Sequence, residues 1–128
     1  MNTMKAGIID AKSGDLEFSG GDTVSRRYCF KDDFIGFDGH FPGYPVLPAF
    51  VQVLLAISVM EEWSGSIHKL LSMPKAKFHK ELKPHQEISV VCRKLPGEKE
   101  IPVDVKLTTA EGLAADFRII LKAIEVLT

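Results

Sequence analysis

The sequence has little cysteine and almost no net charge, and each shortage excludes a class of protein. Its 128 residues include two cysteines, Cys29 and Cys92, which are too few and too far apart for a disulfide framework or a metal site. The formal net charge is -1, so nothing in the overall balance suggests nucleic acid or an anionic membrane as a partner. We therefore expect neither a bound metal nor a cofactor.

Long hydrophobic runs are also missing. The longest apolar stretch, residues 46–60, is interrupted by Pro48, Gln52 and Ser58 and is too short to cross a bilayer. Residues 1–10 lack the charged start and long apolar run of a signal peptide. The sequence therefore predicts a cytoplasmic protein without a membrane segment.

The composition is that of an ordinary globular domain, with 45% apolar and 26% charged residues. A chain of 128 residues is long enough to bury a core of its own and short enough for one domain. It contains no internal repeat and no low-complexity linker. We expect a single domain over residues 1–128.

The first third of the chain alternates strand-like and turn-like segments. A weak strand is predicted around residues 5–11, followed by turns at 13–15 and 19–22, where Gly, Ser and Asp cluster. Residues 23–30 alternate in a way that is typical of a strand. A loop rich in glycine and aromatic residues then covers 31–46.

One helix is predicted over roughly residues 48–63. Pro48 suits the first helical position, where its missing N–H has no cost, and Gly65 suits the exit. Apolar residues cover nearly the whole circumference of this helix, so we expect it to be surrounded by protein.

The second half of the sequence predicts antiparallel strands. Strand patterns occur within 69–82, 87–94, 101–108 and 113–126, and in the second of these Ile88, Val90 and Cys92 are expected to point inward. One long buried helix wrapped by a curved antiparallel sheet is an α+β architecture. Such a sheet keeps a free edge, which edge-to-edge dimerisation would remove.

The segment most specific for function is Gly-His-Phe-Pro-Gly-Tyr-Pro-Val-Leu-Pro at residues 39–48. It resembles the His-Phe-Pro-Gly-x-Pro-x-x-Pro signature of 3-hydroxyacyl-[acyl-carrier-protein] dehydratases and their aryl-polyene-pathway relatives. The resemblance continues at residues 75–78 and Pro84 and spans about residues 23–94. It implies a hotdog fold and an acyl thioester as substrate.

The resemblance also assigns roles. It makes His40 the base that removes the α-proton, because an imidazole has a pKa suited to this near neutral pH. The enolate oxygen is stabilised by a backbone N–H at the start of the helix, which here belongs to Ala49, where the family has glycine. The same resemblance places in the substrate pocket Phe41, Pro42, Gly43, Tyr44 and Leu54.

The family's acid is absent. It is a Glu or Asp fourteen positions after the histidine, and that position holds Leu54. Glu61 and Glu62 lie about 10 Å further along the helix, and Gln52 cannot serve as an acid. The aspartates that could replace it are on the loop side: Asp32, Asp33 and Asp38. Because a general acid contributes about two to four orders of magnitude in rate, full dehydratase activity is not expected from this chain by the usual route.

In dehydratases of this type the site lies at a dimer interface, with the histidine from one subunit and the acid from the other. A homodimer of this chain would hold two sites, each with a histidine and no acid. A heterodimer with an acid-bearing dehydratase paralogue would hold one complete site. The resemblance thus implies a protein that handles a 3-hydroxyacyl or 2-enoyl thioester on acyl carrier protein or coenzyme A, in lipid or polyketide-like metabolism. Whether it is an enzyme on its own is left open.

Two other functions remain. Loss of the acid also fits a non-catalytic subunit that binds an acyl group or stabilises a partner. A hotdog thioesterase ranks third, because those enzymes also rely on a carboxylate and generally lack this loop.

Three sets of residues have an open interpretation. The loop aromatics Phe34, Phe37, Phe41 and Tyr44 either line the mouth of an acyl tunnel or fasten the loop to the sheet. A basic cluster on neighbouring strands is either a solvated sheet face or a docking surface for acidic acyl carrier protein: Lys75, Lys77, Lys80, Lys83, Arg93 and Lys94. Three further histidines are expected to be exposed or half-buried scaffold: His68, His79 and His85.

Overall fold

The computed structural model describes residues 3–37 and 43–124. Its elements, in chain order, are α1 (Thr3–Asp10), β1 (Lys12–Ser19), β2 (Thr23–Cys29), a short 3-10 helix (Ile35–Phe37), α2 (Ala49–Ser64), β3 (Ile67–Phe78), β4 (Glu87–Lys94), β5 (Ile101–Thr109) and β6 (Gly112–Ile124).

The six strands form one antiparallel sheet in the order β1-β2-β4-β5-β6-β3. Helix α2 packs against one face of this sheet, which we call the inner face, and contacts β2, β3 and β4. The opposite, outer face carries the alternate side chains of each strand. This long helix against an antiparallel sheet is the predicted α+β hotdog architecture, which is confirmed.

The core lies between α2 and the inner face. Strand β4 buries Ile88, Val90 and Cys92, as the alternation predicted. Their neighbours in the core come from both layers, among them Val24, Tyr28, Val51, Leu55, Val59, Val105, Phe117, Ile119 and Leu121. This contiguous cluster is the main source of stability, because burial of apolar side chains is the dominant favourable contribution to folding.

Helix α2 begins and ends nearly where the sequence predicts. Pro48 precedes it in an extended conformation, and Gly65 closes it at φ 73° with its N–H donated to the carbonyl of Glu61. The expectation that protein surrounds the helix on all sides is wrong for one stripe. Phe50 is 58% exposed, and Leu54 is only half-buried, so this side of α2 is open in the isolated chain.

The N-terminal segment differs from the sequence prediction. The strand expected at residues 5–11 is helix α1, which is anchored by one buried side chain, Ile8, and satisfies its backbone hydrogen bonds locally. The turn expected at 13–15 lies inside β1. Gly14 adopts φ 74° there, and the pairing with β2 shifts register between Ser13 and Glu17, so a bulge absorbs the turn-like residues.

Phe34 fastens the loop after β2 to α1. Its ring lies 4.3 Å from that of Phe30 and 5.5 Å from that of Phe37, measured between centroids. Two glycines make room for it: a Cβ on Gly7 would lie 2.8 Å from the Phe34 ring, and one on Gly36 would lie closer still. Phe34 and Phe37 are both buried, so of the two interpretations of these aromatics, fastening of the loop applies to them.

Replacing Gly36 with alanine is expected to lower the free energy of unfolding by about 1–3 kcal/mol, because the new methyl group overpacks the Phe34 ring. Urea unfolding measures the change. The matched control is the same substitution in a Phe34→Leu background, where the obstructing ring is gone and the cost of Gly36→Ala should shrink. An equal cost in both backgrounds would contradict this explanation.

Across residues 3–37 and 43–124, no helix has the length and apolar character needed to cross a membrane.

Candidate active site

The first part of the signature lies outside the described residues. His40, Phe41 and Pro42 belong to this segment, as does Asp38. Their predicted roles therefore stay predictions.

Residues 43–48 form a strap that leads into α2. Gly43 has φ 78°, a conformation that favours glycine. The hydroxyl of Tyr44 donates to Glu81 Oε1 at 2.7 Å, and Lys83 Nζ lies 5.4 Å from the centre of the Tyr44 ring. The Leu47 N–H donates to the Leu82 carbonyl at 2.7 Å. The strap is thus attached to the segment between β3 and β4, and Tyr44 is exposed on its surface.

Gln52 holds the other side of this strap. Its side chain is buried, and Nε2 donates to the Leu47 carbonyl at 3.2 Å. Its Oε1 has no hydrogen-bond partner among the described residues. Sequence reasoning missed this anchoring role, although a single amide in an otherwise apolar helix was a signal for it.

The N-terminus of α2 is open. Pro48 provides no side-chain cap, and the first amides to be bonded are those of Val51 and Gln52, both to the Pro48 carbonyl. Ala49 is exposed, and its N–H has no backbone partner in the described part of the chain. An uncapped N-terminus concentrates partial positive charge on such amides. The geometry thus leaves the Ala49 N–H available to an anionic oxygen.

Leu54 lies one and a half turns further along α2 and borders a cavity of about 250 Å³ between α2 and α1. The cavity is lined by Met4, Lys5, Ile8, Leu54, Ile57, Ser58, Glu61 and His68. Neither Asp32 nor Asp33 is among these residues. Asp32 instead accepts a hydrogen bond from His85 Nε2 at 3.1 Å on an exposed surface. The structure therefore does not bring Asp32 or Asp33 together with Leu54 within one chain.

Glu61 is the carboxylate that shares the Leu54 cavity. Glu61 is seven positions after Leu54, so the two lie on the same face of α2 but about 10 Å apart along its axis. One oxygen of Glu61 is already occupied, because Oε2 accepts the His68 backbone N–H at 2.8 Å. Glu61 therefore links α2 to β3 and does not replace a carboxylate at the position of Leu54.

His68 is buried, so the expectation that it is exposed or half-buried is wrong. Its Nδ1 lies 3.0 Å from the Ser66 carbonyl, which can only accept, so Nδ1 is the donor in this hydrogen bond. His79 and His85 are exposed, as expected.

An ion-pair group joins β1, β2 and the end of α2, with Arg26 buried and Lys12 and Glu62 partly exposed. Arg26 Nη2 donates to Glu62 Oε2 at 2.5 Å, and Lys12 Nζ lies 3.0 Å from Glu62 Oε1. Burial works to raise the pKa of the Glu62 carboxyl, but hydrogen bonds from Arg26 and Lys12 outweigh it and hold that pKa below its ordinary value. Nearby, burial raises the pKa of Tyr28 to about 12.

The predicted basic cluster on neighbouring strands is not one cluster. Lys75 and Lys77 lie on β3, whereas Arg93 lies on β4, and β5 and β6 separate them. These two strands place Asp104 and Asp116 in between on the outer face. Arg93 and Arg118 both donate to Asp104, and the hydrogen bond from Arg118 holds the pKa of Asp104 below its usual range.

The family model described as ApeI dehydratase, of the ApeI-like family, matches residues 17–116. No curated protein matches the chain significantly.

Several solved structures have the same fold. The dehydratase heterocomplex ApeI:P from Xenorhabdus doucetiae is similar, with a TM-score of 0.70 and 18% identity over 84% of this chain and 94% of that one. An uncharacterised protein from Erwinia carotovora subsp. atroseptica is similar with a TM-score of 0.68 and 20% identity, over 89% of this chain and 96% of that one. A hypothetical thioesterase from Streptococcus pneumoniae, solved with coenzyme A, is similar with a TM-score of 0.68 and 12% identity, over 100% of this chain and 99% of that one.

Proposed function

Because this chain belongs to the ApeI-like dehydratase family, we propose that it handles a 3-hydroxyacyl or 2-enoyl thioester, carried on acyl carrier protein or coenzyme A. The reaction is the reversible loss of water between the α and β carbons. It needs a base for the α-proton, a donor for the departing hydroxide and a group that stabilises the enolate oxygen.

We propose that this chain provides two of these three groups, the base and the group that stabilises the enolate oxygen. His40 is the base, and the N–H of Ala49 stabilises the enolate oxygen at the N-terminus of α2. The open geometry of that N-terminus supports the second assignment. The acyl group lies along the open stripe of α2 past Leu54, with Phe41, Pro42, Gly43 and Tyr44 at its polar end.

The third group comes from a partner subunit. The observation that carries this is the Leu54 cavity: an apolar side chain stands where the acid is needed, and Asp32 and Asp33 lie elsewhere. In a heterodimer the acid of an acid-bearing paralogue would face His40 across the interface. A relative known as the dehydratase heterocomplex ApeI:P supports such an assembly. A hotdog neighbour solved with coenzyme A supports a thioester substrate.

A non-catalytic, acyl-binding subunit is the second candidate. The half-buried Leu54 and the partly apolar cavity favour it, since neither needs a chemical role. A thioesterase would release free thiol from acyl-coenzyme A, whereas a hydratase or dehydratase would change only the enoyl absorbance.

We further propose a cytoplasmic protein with one domain over residues 1–128, whose lysine-bearing surfaces meet acidic acyl carrier protein.

The test is native purification of the chain from its host, followed by the enoyl-thioester absorbance assay with 3-hydroxyacyl substrates. We expect co-purification with an acid-bearing paralogue, and dehydration by the complex but not by the isolated chain. His40→Ala in this chain should reduce the rate of the complex by at least about a hundredfold. Isolation of a strict homodimer from the host would overturn the proposal of a shared site.

A further inference from the structure

Strand β3 is a free and unusually long edge. It is the last strand of the sheet and pairs with β6 on one side, and eleven of its twelve residues are exposed. A strand edge of this length presents unpaired N–H and C=O groups to any second strand that approaches.

The inner side of this edge is apolar. Leu70, Ala76 and Phe78 stand opposite Leu121, Phe117 and Ala115 of β6, which are buried in the core. Leu70 and Phe78 nevertheless remain 40% and 42% exposed. A strand edge that is protected only against aggregation does not require exposed apolar side chains. This row therefore indicates an apolar surface that a partner covers.

The outer side of the same edge is basic. Lys69 stands opposite Lys122 of β6, so two positive charges already face each other within the chain, and Lys75 stands opposite Arg118, which is paired with Asp104. Lys77 stands opposite Asp116. Like charges placed directly across a strand pair destabilise it, so a further basic strand at this edge would add to an existing repulsion.

The edge contains no acidic residue. The β3 sequence Ile-His-Lys-Leu-Leu-Ser-Met-Pro-Lys-Ala-Lys-Phe has three lysines and neither Asp nor Glu. Hence no register of β3 against β3 of a second copy sets a lysine against a carboxylate. A two-fold pairing centred on Ser72, near the middle of the strand, would set Lys69 of each copy opposite Lys75 of the other.

We propose that this edge disfavours its own copy and pairs with the edge strand of a second hotdog chain that carries Asp or Glu on its outer side. The lysines act as the repulsive element against self-association, and the apolar inner row provides the surface buried with the correct partner. The inference rests on the proposed shared site, and it names the chemistry of the partner that would bring the missing acid.

The chain itself provides the probe for an acidic edge. In Lys69→Glu/Lys75→Glu, the new carboxylates face Lys122 and Arg118 within the chain, so the fold should tolerate them. Wild type and variant are each labelled at Cys29, which is exposed on β2, whereas Cys92 is buried. Fluorescence transfer between donor-labelled and acceptor-labelled chains then measures association.

We expect wild type and the variant to associate about tenfold or more tightly than wild type with itself at low salt. At about 1 M salt the difference between the two affinities should shrink to less than about twofold, because the Debye length is then only about 3 Å. Lys69→Gln/Lys75→Gln, which removes the repulsion without adding acids, should self-associate more tightly than wild type. Far-UV circular dichroism confirms that each variant is folded.

The matched control is Lys31→Glu/Lys99→Glu, which has the same net charge but changes lysines outside β3. It should associate with wild type no more tightly than wild type does with itself. Wild-type self-association as tight as the mixed pair at low salt, or an equal effect of the control, would overturn the inference.

These readouts involve no chemistry, so the two proposals fail in different ways. Selective pairing without dehydration would refute the proposed function and leave the edge inference intact. Unselective self-pairing together with dehydration by the native complex would refute the edge inference and leave the function intact.

Discussion

Replacing Leu54 with glutamate is expected to raise the dehydration rate of the isolated chain by about two to four orders of magnitude, the usual contribution of a general acid. Leu54 lines an existing cavity on the open side of α2, so the pocket has room for a carboxyl group of similar size. The gain appears as enoyl-thioester absorbance with a 3-hydroxyacyl substrate. High salt during the assay screens the β3 lysines and permits self-association.

Two controls isolate the carboxyl group. Leu54→Gln has nearly the same shape but no acid, so it should stay at the wild-type rate. Adding His40→Ala to Leu54→Glu should remove the gain, because the base is then missing. If Leu54→Glu folds, forms dimers and still fails to raise the rate, the pocket has lost more than one group, and the non-catalytic interpretation is favoured.

Replacing Glu62 with glutamine is expected to destabilise the fold by about 2 kcal/mol near neutral pH. Breaking a buried ion pair costs about 3–5 kcal/mol, and we expect less here for two reasons. The Glu62 side chain is 28% exposed, and Arg26 keeps its hydrogen bond to the Gly14 carbonyl at 2.7 Å. Urea unfolding measures the loss, and Glu98→Gln, at an exposed position outside the helices and strands, is the control that should change little.

The same carboxyl gives the fold a defined acid sensitivity. The pKa of Glu62 lies below its ordinary value in the folded chain, so its ionised form stabilises the fold above the unfolded pKa of about 4.3. That contribution is lost as the pH falls through the folded pKa. Between about pH 6 and about pH 3, wild type should therefore lose more stability than Glu62→Gln. Parallel losses in the two proteins would contradict the assigned role of Glu62.

The elements that could be predicted from sequence are those whose pattern is local. The alternation of Ile88, Val90 and Cys92 sets which face of β4 is buried, and the apolar run between Pro48 and Gly65 sets α2. These patterns depend on neighbours along the chain, so they need no knowledge of the fold. The same logic failed at residues 5–11, where a short segment alternates weakly but satisfies its own backbone as α1.

Features that depend on distant residues could not be predicted. The pair between Arg26 and Glu62 joins residues that are 36 positions apart, and no local pattern marks it. The basic cluster failed for the same reason, because the sheet order separates Lys75 from Arg93 and places Asp104 between them. Sheet order is set by the whole topology, and adjacent segments of the sequence do not reveal it.

The candidate site was predictable in part. The motif led to the N-terminus of α2 and to Leu54. Among the described residues the Ala49 N–H has no backbone partner, and Leu54 lies beside a cavity. The roles of Glu61 and His68 were not foreseen, because α1 and β3 must both be in place before that cavity exists. Helical spacing alone put Glu61 on the face of Leu54, and that was the available signal.

The central claim is that one site is shared between two subunits, with the histidine from one and the acid from the other. It is tested most directly by mixing two chains that are each expected to be inactive: wild type, and Leu54→Glu/His40→Ala. At high salt, random exchange of subunits completes about a quarter of the sites, so the mixture should reach about a quarter of the Leu54→Glu rate. A mixture no more active than its separate components, while Leu54→Glu alone is active, would show that one chain holds both groups and would contradict the account.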